Sequence, residues 1–280
     1  MRVLVTGAEG QLGFDVVREL RKRGIEPIEK TIENMDITDQ KTVHEGVKEA
    51  QPDAVIHCAA YTAVDAAESN RDLCFGINVE GTRNIAEVCN ELDIPMMYIS
   101  TDYVFEGNGE APWEPDGDRN PINIYGESKY QGELVVESLL EKYFIVRISW
   151  VFGENGKNFV RTMVDLGKKM KSINVVADQF GSPTYTADLA VTLADLITSS
   201  EYGVYHATNE GVCSWYEFAV EIFKKAQLDV EVHPVSSDAF PTAAKRPLNS
   251  RMSKEKLVEK GFSKLPSWQN ALERYLEQLL

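Results

Sequence analysis

Short apolar runs alternate with segments of helical period from Arg2 to Trp150, and the first run opens into a turn punctuated by glycines at Gly7, Gly10 and Gly13. Strand, glycine turn and helix, repeated as strand and helix thereafter, predict an α/β fold: a Rossmann-type doubly wound parallel sheet. Beyond Phe152 the alternation loosens into shorter, more polar elements, which predicts a smaller C-terminal lobe. The expected division is a first domain over residues 1–153 and a lobe over 154–280. A helix and strand near 186–206 are expected to return to the first domain's sheet.

Length and composition agree with that architecture. A chain of 280 residues buries a sizeable core, and 43% hydrophobic with 26% charged residues is ordinary for a folded protein. The 44 acidic against 29 basic side chains give a net charge of −15, which repels nucleic acid and anionic membrane over most of the surface. Any phosphate ligand must therefore be held by backbone N–H groups or by local bases. Cys58, Cys74, Cys89 and Cys213 have no C-x-x-C spacing and read as reduced core thiols, so no metal site is expected. A strand beginning at Arg2 leaves no room for a signal peptide, and no run is long enough to span a membrane, so a cytoplasmic protein is expected.

Val3-Leu4-Val5 is the first strand, and Leu12, Val16, Val17 and Leu20 recur at helical spacing until Gly24. Between them Thr6-Gly7-Ala8-Glu9-Gly10-Gln11-Leu12-Gly13 lets the backbone turn tightly against a pyrophosphate, whose charge rests on the free N–H groups of the helix N-terminus. The spacing is G-x-x-G-x-x-G and not G-x-G-x-x-G. Glu26-Pro27-Ile28-Glu29-Lys30 is the second strand, whose end meets the adenosine ribose. Glu29 and Lys30 offer one acid and one base there, so NADPH and NADH both remain open. Asp36-Ile37-Thr38-Asp39 reads as a strand end entering a capped helix, with Asp36 either part of the cap or a contact for the adenine edge.

Ala54 to Ala60 is a buried strand ending in Ala59 and Ala60, small enough for a ring or ribose to pass close to the backbone; His57 inside it reads as a core residue. Residues 74–92 form the next helix, on which Asn78 reads as a buried hydrogen-bonding residue. Met96-Met97-Tyr98-Ile99 then delivers Ser100-Thr101-Asp102 to a strand end, where ligands collect in open α/β sheets. The Gly-, Pro- and Asp-rich loop 106–120 is long enough to form a lid.

Tyr125 and Lys129 follow, one helical turn apart on one face. A free phenol titrates near about 10, and a fixed ammonium beside it favours phenolate and makes the pair a proton-transfer device. Phe144 to Trp150 completes the first half as a strand. Residues 158–171 read as a helix, 173–176 as a strand, 178–185 as an irregular loop, 186–199 as a helix, 203–206 as a strand, and Ser214 as a helix cap. Arg246 in Ala244-Lys245-Arg246-Pro247 is either a phosphate clamp or a solvated surface base. Together a nucleotide turn, Thr101 at a strand end and the Tyr125–Lys129 pair point to hydride transfer between a nicotinamide and a carbonyl or alcohol carbon. Tyr125 passes the proton, Thr101 holds the substrate oxygen, and Lys129 tunes the phenol and can bind the nicotinamide ribose.

At these residues the chain resembles the extended short-chain dehydrogenase/reductase family, and within it the dTDP-4-dehydrorhamnose reductases. The resemblance runs through Gly10-Gln11-Leu12-Gly13, Ala59-Ala60-Tyr61-Thr62-Ala63-Val64-Asp65, Ser100-Thr101-Asp102-Tyr103-Val104-Phe105 and Tyr125-Gly126-Glu127-Ser128-Lys129. It continues in Ser149-Trp150, Gly156-Lys157-Asn158-Phe159-Val160, the stretch Asp178 to Tyr185, and Arg246-Pro247. Ile148 and Arg251 depart from the family's usual residues and touch no proposed role. The resemblance implies reduction of the 4-keto group of dTDP-4-dehydro-L-rhamnose to dTDP-L-rhamnose by NADPH or NADH. It implies a coenzyme site at Gly7, Gly10, Gln11, Leu12, Gly13, Asp36, Ile37, Ala59, Ala60, Tyr61, Thr62, Tyr125 and Lys129. The dTDP-sugar would meet Thr101, Asp102, Tyr125 and Trp150 and reach toward Asn158 and Arg246. A homodimer is an expectation of the family alone.

Two other readings share the fold. Sugar-nucleotide dehydratases and epimerases use the same tyrosine and lysine, but dehydratases place an acid after the Thr-Asp pair, where Tyr103 stands here. A non-catalytic regulatory subunit such as that of methionine adenosyltransferase would use the fold to hold a partner protein. Intact Thr101, Tyr125 and Lys129 favour the enzyme.

Overall fold

The computed structural model describes residues 1–280. Six strands, β1 (Arg2–Thr6), β2 (Glu26–Lys30), β3 (Ala54–His57), β4 (Met96–Thr101), β5 (Tyr143–Ile148) and β6 (Gly203–His206), form one sheet. Its order is β6-β5-β4-β3-β1-β2 and every pairing is parallel. The chain steps from β1 outward to β2 and then returns to β3 on the other side of β1. That reversal leaves a crevice beyond the carboxyl ends of β1 and β3, where ligands of doubly wound sheets bind.

Strand residues alternate between the two faces, so each strand feeds two cores. Val3, Val5, Ile56, Met97, Phe144 and Val146 face one layer, with Leu12, Val16 and Leu20 of α1 (Gln11–Lys22) and Leu189 and Leu193 of a helix at Thr186–Ile197. Leu4, Val55, Met96, Tyr98 and Ile145 face the other. That layer holds α2 (Gln40–Ala50), α3 (residues 71–91) and α4 (Ile124–Leu139). α3 is one continuous run whose middle, Gly76–Gly81, is π-helical.

A third core lies outside the sheet. It joins Val160, Met163 and Val164 of α5 (Phe159–Gly167) to α7 (Trp215–Lys225) and α8 (Trp268–Leu279) through Phe218, Ile222, Phe223, Trp268, Leu272 and Tyr275. The helix Thr186–Ile197, α6, packs on α1, and β6 lies beside β5. A two-stranded ladder pairs Ser172–Val176 with Glu231–Val235 in parallel.

Three local readings change. Residues 36–39 hold no strand end: they are a turn, and Asp39, not Asp36, caps α2 by accepting from the Thr42 N–H at 3.1 Å. The loop 106–120 is strapped down and does not cover the crevice. Asn249 donates to the Asn108 and Ala111 carbonyls, and Trp113 stacks on Phe105 with centroids 4.9 Å apart. The loop 178–185 contains two short strands, Phe180–Gly181 and Thr184–Tyr185, each paired to a distant segment. Such pairings carry no local sequence signal.

Candidate active site

The glycine turn is built by close approach. Gly7 adopts φ +62°, and a Cβ there would stand 2.8 Å from the Ala59 nitrogen; one on Gly13 would stand 2.1 Å from the Gly7 carbonyl oxygen. No side chain caps α1, whose N-cap is Gly10, so its first N–H groups face the crevice unpaired. A backbone cradle that any Cβ would fill, ending on an uncapped helix, fits a dinucleotide pyrophosphate.

A cleft of about 860 Å³ runs from this turn across the carboxyl ends of β1, β3 and β4. Gly7, Gly10, Gln11, Leu12, Gly13, Asp36, Ile37, Ala59, Ala60 and Thr62 line it at one end, and Thr101, Asp102, Tyr125, Lys129 and Trp150 at the other. Asp36 is exposed, and its carboxylate accepts from the Thr38 N–H at 2.9 Å and the Thr38 hydroxyl at 2.8 Å.

Helix α4 is started by Asn123, whose side chain accepts from the Gly126 N–H at 2.8 Å; this sets Tyr125 in the first turn, facing the cleft. Thr101, ending β4, donates to Asp102 at 3.0 Å and accepts from the Tyr103 N–H at 3.2 Å. Asp102 is 3% exposed and its Oδ2 has no partner. Burial raises its carboxyl to about 6, against hydrogen bonds from Ser250 and Thr101 that lower it. Trp150 takes φ +50° and stacks on Trp215 with centroids 3.6 Å apart, forming a flat aromatic wall.

The electrostatics of the pair differ from the expected acidified phenol. Burial raises the Tyr125 phenol above its ordinary value, Asp102 adds to the rise, and a hydrogen bond from Thr101 works against it. The Lys129 ammonium is 2% exposed and sits 3.9 Å from the centre of the Tyr98 ring, so it is turned toward the sheet. Burial lowers it to about 7, with Glu133 pulling the other way. Tyr125 in this arrangement is a protonated donor, and the Lys129 cation, packed over the Tyr98 ring, titrates near neutrality.

Three expected residues lie elsewhere. The Tyr61 backbone N–H donates to Asn78 at 2.8 Å, and Tyr61 does not line the cleft. Asn158 caps α5 and donates to Gln11, the Gly153 carbonyl and Tyr275. Arg246 pairs with Asp65 at 2.6 Å and lines a second cavity of about 660 Å³ with Trp215, Gln179 and Phe240. Asn123 donates to the Lys245 carbonyl at 2.8 Å, so the segment 244–246 is tied to the helix carrying Tyr125. His57 is a core residue, bonded to Thr6 at 2.7 Å and lowered by burial to about 3.

The pattern of the RmlD substrate binding domain matches residues 1–280. The chain belongs to that family. It is 39% identical to the spore coat polysaccharide biosynthesis protein SpsK of Bacillus subtilis, over 99% of this chain and 97% of that protein. It is 38% identical to the dTDP-4-dehydrorhamnose reductase of Aggregatibacter actinomycetemcomitans, over 97% of each. The crystal structure of dTDP-4-dehydrorhamnose reductase from Bacillus anthracis in complex with NADP superposes at TM-score 0.96, with 47% identity and 99% of both chains covered.

Sequence reasoning missed several cleft residues of this RmlD-family chain. Tyr103 packs edge-on against Tyr125 with centroids 5.5 Å apart, and Lys157 also lines the cleft, as does Lys30, which the sequence places at the ribose end. Beneath it Glu133, fully buried, binds Arg147 at 2.8 Å, Ser100 at 2.5 Å and Arg119 at 3.0 Å. An arginine inside the apolar run Phe144 to Trp150 was the available signal, since a buried charge demands a partner. The π-helical turn of α3 sets Asn78 to clamp both Tyr61 and Ser128, tying the alanine strand end to α4.

Proposed function

We propose that the protein is an NAD(P)H-dependent sugar-nucleotide 4-ketoreductase that converts dTDP-4-dehydro-L-rhamnose to dTDP-L-rhamnose, the last step in making this donor for cell-surface polysaccharide. The observation that carries the reading is the convergence of Tyr125, Lys129 and Thr101 at one end of a single cleft whose other end is the glycine turn. Similarity to dTDP-4-dehydrorhamnose reductases over nearly the whole chain supports the substrate.

In this reading the bound coenzyme supplies hydride to C4. The neutral Tyr125 phenol donates its proton to the developing alkoxide, and Thr101 orients the oxygen by hydrogen bonding. Lys129, when charged, stabilises the phenolate left behind and binds ribose hydroxyls. Asp102 and Trp150 hold the sugar. Arg246 takes the diphosphate when released from Asp65, and Asn158 acts at one remove through Gln11. Gly7, Gly10, Gln11, Leu12 and Gly13 receive the pyrophosphate, with Asp36, Ile37, Ala59, Ala60, Tyr61 and Thr62 around the nucleoside and nicotinamide. The coenzyme unit would span 1–153 and the substrate lobe 154–280. No helix is long and apolar enough to cross a membrane, and we infer a cytoplasmic enzyme, with a homodimer as its expected assembly.

The test is spectrophotometric. Purified protein is expected to oxidise NADPH or NADH only when dTDP-4-dehydro-L-rhamnose is present, and Tyr125→Phe to lose at least about a hundredfold in kcat while still binding coenzyme. A wild-type protein that binds coenzyme but never consumes it would favour a regulatory role.

A further inference from the structure

We propose that Tyr98 is a positioning residue for the reaction: its ring holds the Lys129 ammonium at the cleft as a cation, doing with an aromatic face what an ion pair would do elsewhere. The inference rests on the reductase reading, in which Lys129 must be charged as Tyr125 gives up its proton. Tyr98 lies inside β4 and is fully buried. The Lys129 Nζ stands 3.9 Å from its ring centre. At that distance the electron-rich face of a ring attracts an ammonium, and more strongly where water is excluded. Lys129 is 2% exposed.

The groups around Lys129 offer it no free anion. Glu133, one turn further along α4, pulls on it but is committed to Arg147, Arg119 and Ser100. On the β3 side burial keeps His57 neutral by lowering it to about 3, and Cys58 neutral by raising it to about 12. Burial also raises the Cys74 thiol on α3 and the Tyr125 phenol on α4. The ring itself is fixed in place. Its hydroxyl donates to the Lys129 carbonyl at 3.3 Å, in a slot at Gly132 where a Cβ would stand 2.2 Å from the hydroxyl oxygen. His57 stacks on it with centroids 5.9 Å apart. The imidazole is fixed in turn: Thr82 gives its proton to the Asn78 carbonyl at 2.7 Å, so it accepts from Nε2 at 3.3 Å, and Nδ1 accepts from Thr6 at 2.7 Å. One buried network thus runs from the end of β1 to the lysine of the reaction.

The ammonium is read without catalysis by NMR of the full-length, coenzyme-free protein carrying carbon-13 at lysine Cε, with the Lys129 signal assigned by its loss in Lys129→Arg. Tyr98→Phe keeps the aromatic face and is expected to keep the wild-type titration midpoint. Tyr98→Leu removes the face and should lower the midpoint by about one unit, moving the fall of kcat/KM for sugar reduction to lower pH by the same interval. Phenylalanines carrying one, two and three ring fluorines at position 98 nearly preserve volume while draining the face of electron density. They should lower the midpoint step by step, and they stand in for the leucine variant if it fails to fold. A role in packing alone would lower stability and leave the midpoint in place; that result, or a midpoint indifferent to the fluorines, overturns the proposal. A protein that reduces the dTDP-keto sugar while its Lys129 midpoint ignores the ring overturns the role of Tyr98 alone. One whose midpoint follows the ring yet reduces no dTDP-keto sugar overturns the reaction and leaves the hold of Tyr98 on Lys129 standing.

Discussion

At Lys129 burial and charge pull in opposite directions, and the balance leaves an ammonium that begins to lose its proton near about 7. Asp102, raised to about 6 by burial, titrates just below it. In acid of about pH 5 the carboxyl is neutral and the lysine charged, so a phenolate forming on Tyr125 meets a cation and no opposing anion. Raising the pH first places a carboxylate beside Tyr125 and then discharges Lys129, and both changes disfavour proton release from the phenol. The expected outcome is a kcat/KM for sugar reduction that falls between about pH 6 and 8, with Asp102→Asn removing the lower part of the fall. A profile flat across that interval would count against the pair. The glycine turn makes a separate prediction. Gly13→Ala puts a methyl 2.1 Å from the Gly7 carbonyl, so coenzyme affinity measured by fluorescence titration should drop at least about tenfold.

Among the elements, α4 carries the chemistry, and its first turn is held by one residue with two tasks. Asn123 caps the helix and also donates to the Lys245 carbonyl, on the segment that bears Arg246. Asp65 grips the same segment through the Ala244 N–H at 3.1 Å and the Arg246 guanidinium at 2.6 Å. Asn123→Ala should therefore lower stability by about 1 kcal/mol, read as a lower midpoint in urea. It should also raise the KM for the dTDP-sugar more than that for coenzyme. Equal changes in the two KM values would mean that the segment 244–246 does not serve the substrate side. The G-E-S-K stretch makes the Tyr125–Lys129 spacing legible, but nothing local reveals that Lys245, 122 positions after Asn123, meets the start of that helix.

Across the whole molecule, one buried ion cluster joins the sheet to the helix layer below the cleft. Glu133 on α4 is held low despite burial because Arg147 of β5 lies against it, with Ser100 and Arg119 completing its hydrogen bonds. Removing one partner of a fully buried pair is more costly than replacing both with apolar groups. Glu133→Gln should cost about 3 to 5 kcal/mol in chemical denaturation, and the Glu133→Leu/Arg147→Met double variant less. Loss of activity in proportion to stability would assign the cluster to folding, since it touches no proposed ligand.

Periodicity sufficed for the parallel sheet and its order of helices, because alternation in strands and a 3.6-residue repeat in helices are local properties of the chain. The glycine spacing likewise implied a close backbone turn, and the four-residue interval put Tyr125 and Lys129 on one face. Tertiary structure decided the rest. It turned Glu29 to Arg21 and Lys30 into the cleft, swung the Lys129 ammonium over Tyr98, paired Arg246 with Asp65, and stacked Trp150 on Trp215. Each of these depends on which distant segments meet, and so on burial and charge that arise only once the chain has folded; a single sequence records the partners but not their encounter.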